Sequence, residues 1–501
     1  MRNILIVGVS KQQLDDSILE EVFRKVDKDY LALLLHKKEE RHIFEKYGQC
    51  FLREDIAKGR HELSASDMCN CVPLDDGIFN YMTPYTIEIL TQQRRFEEYH
   101  AFQISKSYES HYSIYMRNLF FWNNFLETKE ITHVFFSCLP HEGYDSIIYY
   151  LCKIKKIAVR MIYNSTLPRR YYVLSDFMNV EESLGHTYKR FCEHYTEIDN
   201  IPLNEQEERL YQKWSSLQPE QMKPWYMEGN PLKRRFGIRF GTTNIWKAWY
   251  HTIGSIYVNY DYKMSMRFAW DCIKHIPLFI SVAINTFRNW KYSRPVWKRT
   301  IQLNNYYEKI AEMPMPGEQY IYFAMHYQPE ASSNPLGGRE YADQIFPIHI
   351  LARSVPEDMK IYVKVHPEQL APLRSREYYD DIKRIPNVRL IKSSCNTYDL
   401  IQNAFAVSSL TGTVCWEAQF YGIPAILFGY SHKNLAPLTY HVRTWEECIA
   451  AIKNIENNKR IIPKRELRIL IKAMYEQSFD ESDIKGKLPD ILISFLLGKT
   501  L

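Results

Sequence analysis

Short apolar runs recur along this chain with room for a helix between neighbours, and they do so in two separate series. The first comprises 3–9 (NILIVGV), 30–36 (YLALLLH), 131–138 (ITHVFFSC) and 158–164 (AVRMIYN). The second comprises 318–327 (EQYIYFAMHY), 360–367 (KIYVKVHP), 387–392 (NVRLIK), 406–410 (AVSSL) and 424–429 (PAILFG). Runs that are apolar throughout, rather than alternating, belong to parallel strands covered on both faces. Helical stretches such as YADQIFPIHILARSV (341–355), TYDLIQNA (397–404) and VCWEAQFYG (414–422) supply the covers. The spacing therefore predicts an α/β fold of the GT-B kind, two Rossmann-like domains facing a cleft at the C-terminal ends of their strands. A chain of 501 residues is also too long for one ordinary core. The expected division is a Rossmann-like domain over 1–178, a helical, basic, Trp-rich connecting segment over 179–315, a second Rossmann-like domain over 316–440, and helices over 441–501 that brace the second half. The first turn, VGVS, has one glycine where a dinucleotide fingerprint needs three, which excludes a classical NAD site there.

The ten cysteines show no CxxC pair and no zinc spacing, which fits free thiols in a reducing compartment. MRNILIVGVS reads as an opening strand rather than a signal peptide, and IPLFISVAI (276–284) falls short of the ~20 residues that span a bilayer. The expectation is a cytoplasmic protein. Residues 233–299 carry thirteen Lys or Arg against two acids, Asp261 and Asp271, together with five of the ten tryptophans. That composition fits a surface resting on the anionic inner membrane, a track for a polyanionic glycan, or a helical insert with a solvated basic face. Nothing in it resembles a nucleic-acid module, so no nucleic-acid partner is expected.

The chemistry is concentrated in the second series. Four strand-to-helix loops follow one another: HYQPEASSNPLGG (326–338), KVHPEQ (364–369), SSCNT (393–397) and TGTVCWE (411–417). In a parallel sheet all four emerge on one edge. They would bring together His326, Gln328, Glu330, Lys364, His366, Pro367, Ser393, Ser394, Thr397, Thr411, Gly412, Thr413 and Glu417. Small residues opening a helix leave backbone N–H groups free for a phosphate, and Glu417, one turn on, can accept from ribose hydroxyls.

KVHPEQ, followed by TGTVCWEAQFYGIPAILFG, resembles the bacterial capsular polysaccharide synthesis family that includes the β-Kdo transferases. It is similar, more distantly, to polysialyltransferases and teichoic-acid polymerases. HYQPEAS with its Pro-Leu-Gly-Gly is similar to a loop of the capsule group. The likeness spans about residues 318–430. It implies a glycosyltransferase using a nucleotide-sugar donor, with CMP-linked Kdo or another acidic sugar as the leading candidate. His366 and Pro367 would lie on the donor phosphates, Thr411, Gly412 and Thr413 opposite, and Glu417 near the ribose.

No cofactor or metal is expected. Asp27-Lys28-Asp29 has the letters of an Asp-x-Asp metal site but reads as surface charge before a strand. Lys364, His366 and His326 would then steady the leaving phosphate. The polysaccharide or lipid-linked glycan acceptor belongs on the first domain, where SCLPHEGYDSIIYYL (137–151) offers His141, Glu142 and Asp145, with Glu142 or Asp145 as general base. Arg169 and Arg170 either meet an anionic acceptor or are solvated. A CDP-linked polyol-phosphate transferase, a nucleotide-sugar epimerase, and a non-catalytic capsule export or scaffold protein are the alternatives.

Overall fold

The computed structural model describes residues 2–10, 14–61, 71–95, 107–216, 298–328, 330–367, 369, 374–458 and 460–499. The basic stretch 233–299, save its last two residues, lies outside them.

The first domain holds strands β1 (Asn3–Val9), β2 (Tyr30–Leu35), β3 (Gln49–Leu52), β4 (His133–Phe136), β5 (Ala158–Asn164) and β6 (Arg170–Leu174). The second holds β7 (Tyr320–Ala324), β8 (Lys360–Lys364), β9 (Val388–Leu390), β10 (Ala406–Ser409), β11 (Ala425–Leu427) and β12 (Thr439–His441). A two-residue strand, β13 (Phe479–Asp480), returns to the first sheet. The orders are β13-β6-β5-β4-β1-β2-β3 and β12-β11-β10-β7-β8-β9. The second sheet is parallel throughout, and the first is parallel from β3 to β5 with β6 and β13 antiparallel at its edge. Each sheet reverses its winding beside its first strand, between β1 and β4 and between β7 and β10. Those reversals are the topological switch points where open α/β sheets take ligands. The architecture is GT-B.

The central strands formed where their apolar runs predict, because both faces are covered: every residue of β1 is buried. Strands that escape prediction are edge or near-edge elements. β3 (QCFL) and β12 (TYH) are short and half exposed, and β6 lies in what reads as a loop.

The C-terminal helices do more than brace the second half. Helix Trp445–Asn457 does so, with Cys448, Ala451 and Ile452 in the second-domain core. Helix Lys464–Glu476 instead packs Leu467, Leu470 and Ile471 with Leu184 and Phe191 of helix Glu182–His194. Helix Ile484–Leu496 then lays Leu488, Ile491, Leu492 and Phe495 against Ile4, Ile6 and Ile18 of the first domain. The chain thus ends on the domain where it began. Leu492 is 0 % exposed, so Leu492→Ala should cost about 2–5 kcal/mol through lost burial and the residual cavity, read as a lower urea midpoint.

Candidate functional site

At the C-terminal ends of β7, β8 and β10 a cavity of about 610 Å³ opens between the domains. Its first-domain wall is the end of β5: Tyr163, Asn164, Ser165 and Thr166. The opposite wall comes from the second-domain loops. The expected residues His326, Glu330, Lys364, His366, Pro367, Ser393, Thr411, Gly412, Thr413 and Glu417 all line it. Gln328 and Ser394 do not. Gln328 is buried in an amide knot, its side chain joined to Ala342, Gln344 and Arg374, while Ser394 is exposed.

Thr411 is held on all three of its polar groups. Its N–H donates to Nε2 of His326 at 3.0 Å, its hydroxyl donates to the Ser332 carbonyl at 2.7 Å, and its carbonyl accepts from Lys433 Nζ at 2.8 Å. This corrects the expectation that the Thr411 amide is free for a phosphate. The next N–H groups, of Thr413 and Val414, open helix Thr413–Gln419 and have no acceptor among the described residues. Gly412 is required by space, since a Cβ there would lie 2.7 Å from Ser409 Oγ.

His326 cannot be the cation the sequence suggested. Burial pushes its pKa down to about 3, the nearby charges of His366 and Lys433 act in the same direction, and the neutral ring accepts from Thr411. The cations are lysines. Lys364 is 8 % exposed and donates to the Cys395 carbonyl at 2.5 Å and to Thr397 Oγ1 at 3.1 Å. Burial lowers its pKa. Lys433, 7 % exposed, donates to Thr411 and, at 3.5 Å, to Ser431 Oγ. Burial brings its pKa down to about 8 despite the opposing influence of Cys415 and Glu417. No carboxylate forms an ion pair with either lysine among the described residues. Glu417 lies close by, its pKa raised by burial to about 7, while a hydrogen bond from Thr413 and the charge of Lys433 oppose the shift.

Lys433 and His432 escaped the sequence reading although both line the cavity. They sit in GYSHKN (429–434), the loop after β11, which emerges on the same sheet edge as the other four. A fifth strand end was the available signal. His432 bonds Thr166 through Nε2 across the domain boundary, and burial pushes its pKa well below the usual histidine value.

The first-domain candidates stand apart from the cavity, which corrects their assignment as catalytic base. Glu142 is gripped by Arg53 through both oxygens and accepts from Tyr144 at 3.0 Å. Asp145 is buried and accepts from the N–H groups of His141, Glu142 and Ser146 at 2.7–2.9 Å. Burial, then the charge of Glu142, raises its pKa. His141 turns Nδ1 to the Leu139 carbonyl. Arg170 is bound to Ser478 and the Tyr475 carbonyl, and Arg169 is exposed beside Glu481.

No family model and, at the threshold applied, no curated protein matches the chain. Among solved structures it is similar to the UDP-GlcNAc 2-epimerase of Methanocaldococcus jannaschii, at 13% identity over 95% of this chain and 100% of that one, with a TM-score of 0.25. Thermosulfurimonas dismutans KpsC, a beta Kdo 2,4 transferase, is similar at 11% identity over 72% of this chain and 87% of that one, with a TM-score of 0.31. S. aureus MnaA, solved with UDP, is similar at 5% identity over 99% and 97%, with a TM-score of 0.27.

The loop after β11 also fixes the loop after β10 by close packing. A Cβ on Gly429 would lie 2.6 Å from Thr411 Cγ2 and 2.7 Å from the Leu336 carbonyl. Gly429→Ala should therefore destabilise the protein by about 1–3 kcal/mol of overpacking, visible as a lower melting temperature.

Proposed function

We propose that this chain is a glycosyltransferase that binds a nucleotide-activated sugar with its phosphate on Lys433 and Lys364 and transfers the sugar to a capsular or other surface polysaccharide. The observation that carries this reading is the pair of buried ammonium groups at a switch-point cavity, neither in an ion pair with a carboxylate among the described residues. Removing a charge from water is costly unless it is compensated, and a bound anion supplies the compensation. The donor we favour is a CMP-linked acidic sugar such as Kdo, on the resemblance carried by His366-Pro367 and Thr411-Gly412-Thr413. Attachment to the inner membrane through residues 233–299 belongs to the same reading.

In the reaction, negative charge builds on the phosphate as the bond to the sugar breaks. Lys433 and Lys364, held in a low-dielectric wall, stabilise that charge without reorganising, and His366 adds a donor. The acceptor hydroxyl must also lose a proton. Among the described residues the cavity is lined by two carboxylates, Glu330 and Glu417. Glu417 lies buried behind Thr413, whereas Glu330 is exposed at the cavity wall, its side chain accepting from Ser332 at 3.3 Å. We assign the base to Glu330.

Three results test this. A thermal-shift screen with CMP, CDP, UDP and GDP should show at least one raising the melting temperature, by the equivalent of about 2.7 kcal/mol at a hundredfold excess over Kd. CDP acting with a polyol-phosphate donor would redirect the reading to phosphoryl transfer, and no shift with any nucleotide would remove it. Affinity should fall as pH rises through about 8, because the charged form of Lys433 binds the anion and is lost above its pKa. Lys433→Met should weaken binding and abolish that limb of the profile. Separately, Glu330→Gln should lower kcat by about 10²–10⁴ while nucleotide binding persists. An unchanged kcat would return the base to another group.

A further inference from the structure

The loop that carries Glu330 and Ser332 into the cavity belongs to the second domain, yet its far half is fastened to the first. Asn334, 1 % exposed, accepts from Gln92 Nε2 at 2.7 Å and donates to the Glu88 carbonyl at 3.0 Å. Both partners lie on helix Thr86–Arg95 of the first domain. The Glu88 carboxyl, also 1 % exposed, accepts from the Arg339 N–H at 3.1 Å and from the Tyr150 hydroxyl at 2.7 Å. Burial raises its pKa to about 7. Leu336 completes the fastening: it packs in the hydrophobic core of the first domain, not the second.

The near half of the same loop is bonded to the phosphate-facing segment. The Ser332 carbonyl takes the Thr411 hydroxyl at 2.7 Å, and the Leu336 carbonyl takes the Tyr430 N–H at 2.8 Å. Thr411 and the loop after β11 are what position Lys433. Separating the domains would break the amide bonds of Asn334 or pull the loop off Thr411. Buried polar groups stripped of partners cost more than the bonds they formed, so the two ends move together.

We propose that Asn334 is a positioning residue that makes docking of the first domain a condition of nucleotide binding. This goes beyond the donor-site reading and rests on it. Asn334 does not line the cavity; it acts through the loop. Ligand affinity is then the intrinsic affinity reduced by the fraction of molecules that are docked.

The test uses the full chain, with CMP, CDP, UDP and GDP as probes and small-angle scattering as a second readout. Asn334→Ala should weaken the tightest of the four about tenfold, enlarge the radius of gyration of the free protein, and recover the wild-type radius when saturated. Gln92→Leu, which removes one of the two bonds from the other domain, should act in the same direction, and the double variant should lose no more than Asn334→Ala alone, which already removes both. Unchanged affinity in both variants overturns the inference. So does weaker binding at an unchanged radius, which a merely local role would give. Lys433→Met should lose affinity without change in radius. Failure of the wild type to bind any probe counts against the donor site, whereas failure of the variants to differ from it counts against this coupling.

Discussion

The cleft depends on one buried cation. Lys433 sits beneath the loop after β10 with its ammonium on the carbonyl of Thr411, and no carboxylate pairs with it among the described residues. Burial has already moved its pKa most of the way toward neutrality, to about 8. It still holds its proton at physiological pH. Burial first, and then the charges of His366 and Lys433, keep His326 neutral, so that its ring accepts from the Thr411 amide and fixes it from the opposite side. One residue of backbone is clamped between a neutral ring and a cation. The segment that follows is thereby held with its first helical N–H groups unpaired toward the cavity.

That clamp exists because the sheet topology delivers its parts. His326 follows β7, while Thr411 and Lys433 follow β10 and β11, so three adjacent strands deliver them from the two sides of the switch point. Lys364 closes β8, next to β7. The first domain contributes a different chemistry: Tyr163, Asn164, Ser165 and Thr166 are neutral hydroxyl and amide groups. A phosphate on the second-domain wall and a polyhydroxyl group toward the first-domain wall suit that division. The C-terminal helices and the loop over 330–339 tie the two walls together, by apolar burial at one end and by paired amides at the other.

Much of the fold is legible in the sequence because parallel strands covered on both faces leave uninterrupted apolar runs. Three of the four edge strands leave no such mark: β3, β12 and β13 are held by a single neighbour and are short or polar, while β9 alone is announced by its run NVRLIK. The site is legible to the level of the loop and no further. The four loops converge as their order requires, since strand direction fixes the edge at which each emerges. Which atom meets which is set by packing that periodicity does not encode. Thr411 looks like a free donor until His326 is placed beside it. Glu142 and Asp145 look like a base until Arg53, from the distant end of β3, claims one and three backbone amides claim the other. Lys433 follows the short apolar strand β11, and a lone Lys after His there carries no pattern. Residues 233–299, the strongest compositional signal, lie almost wholly outside the described residues.

The central claim is that Lys433, buried without an ion-paired carboxylate among the described residues, marks where a nucleotide phosphate rests. A crystal structure of the full chain with the tightest-binding nucleotide tests it most directly. The account predicts a phosphate oxygen at about 2.7–2.9 Å from Lys433 Nζ, with Lys364 or His366 on the same group. A nucleotide bound with its phosphate away from Lys433, or at the first sheet's switch point instead, would contradict it.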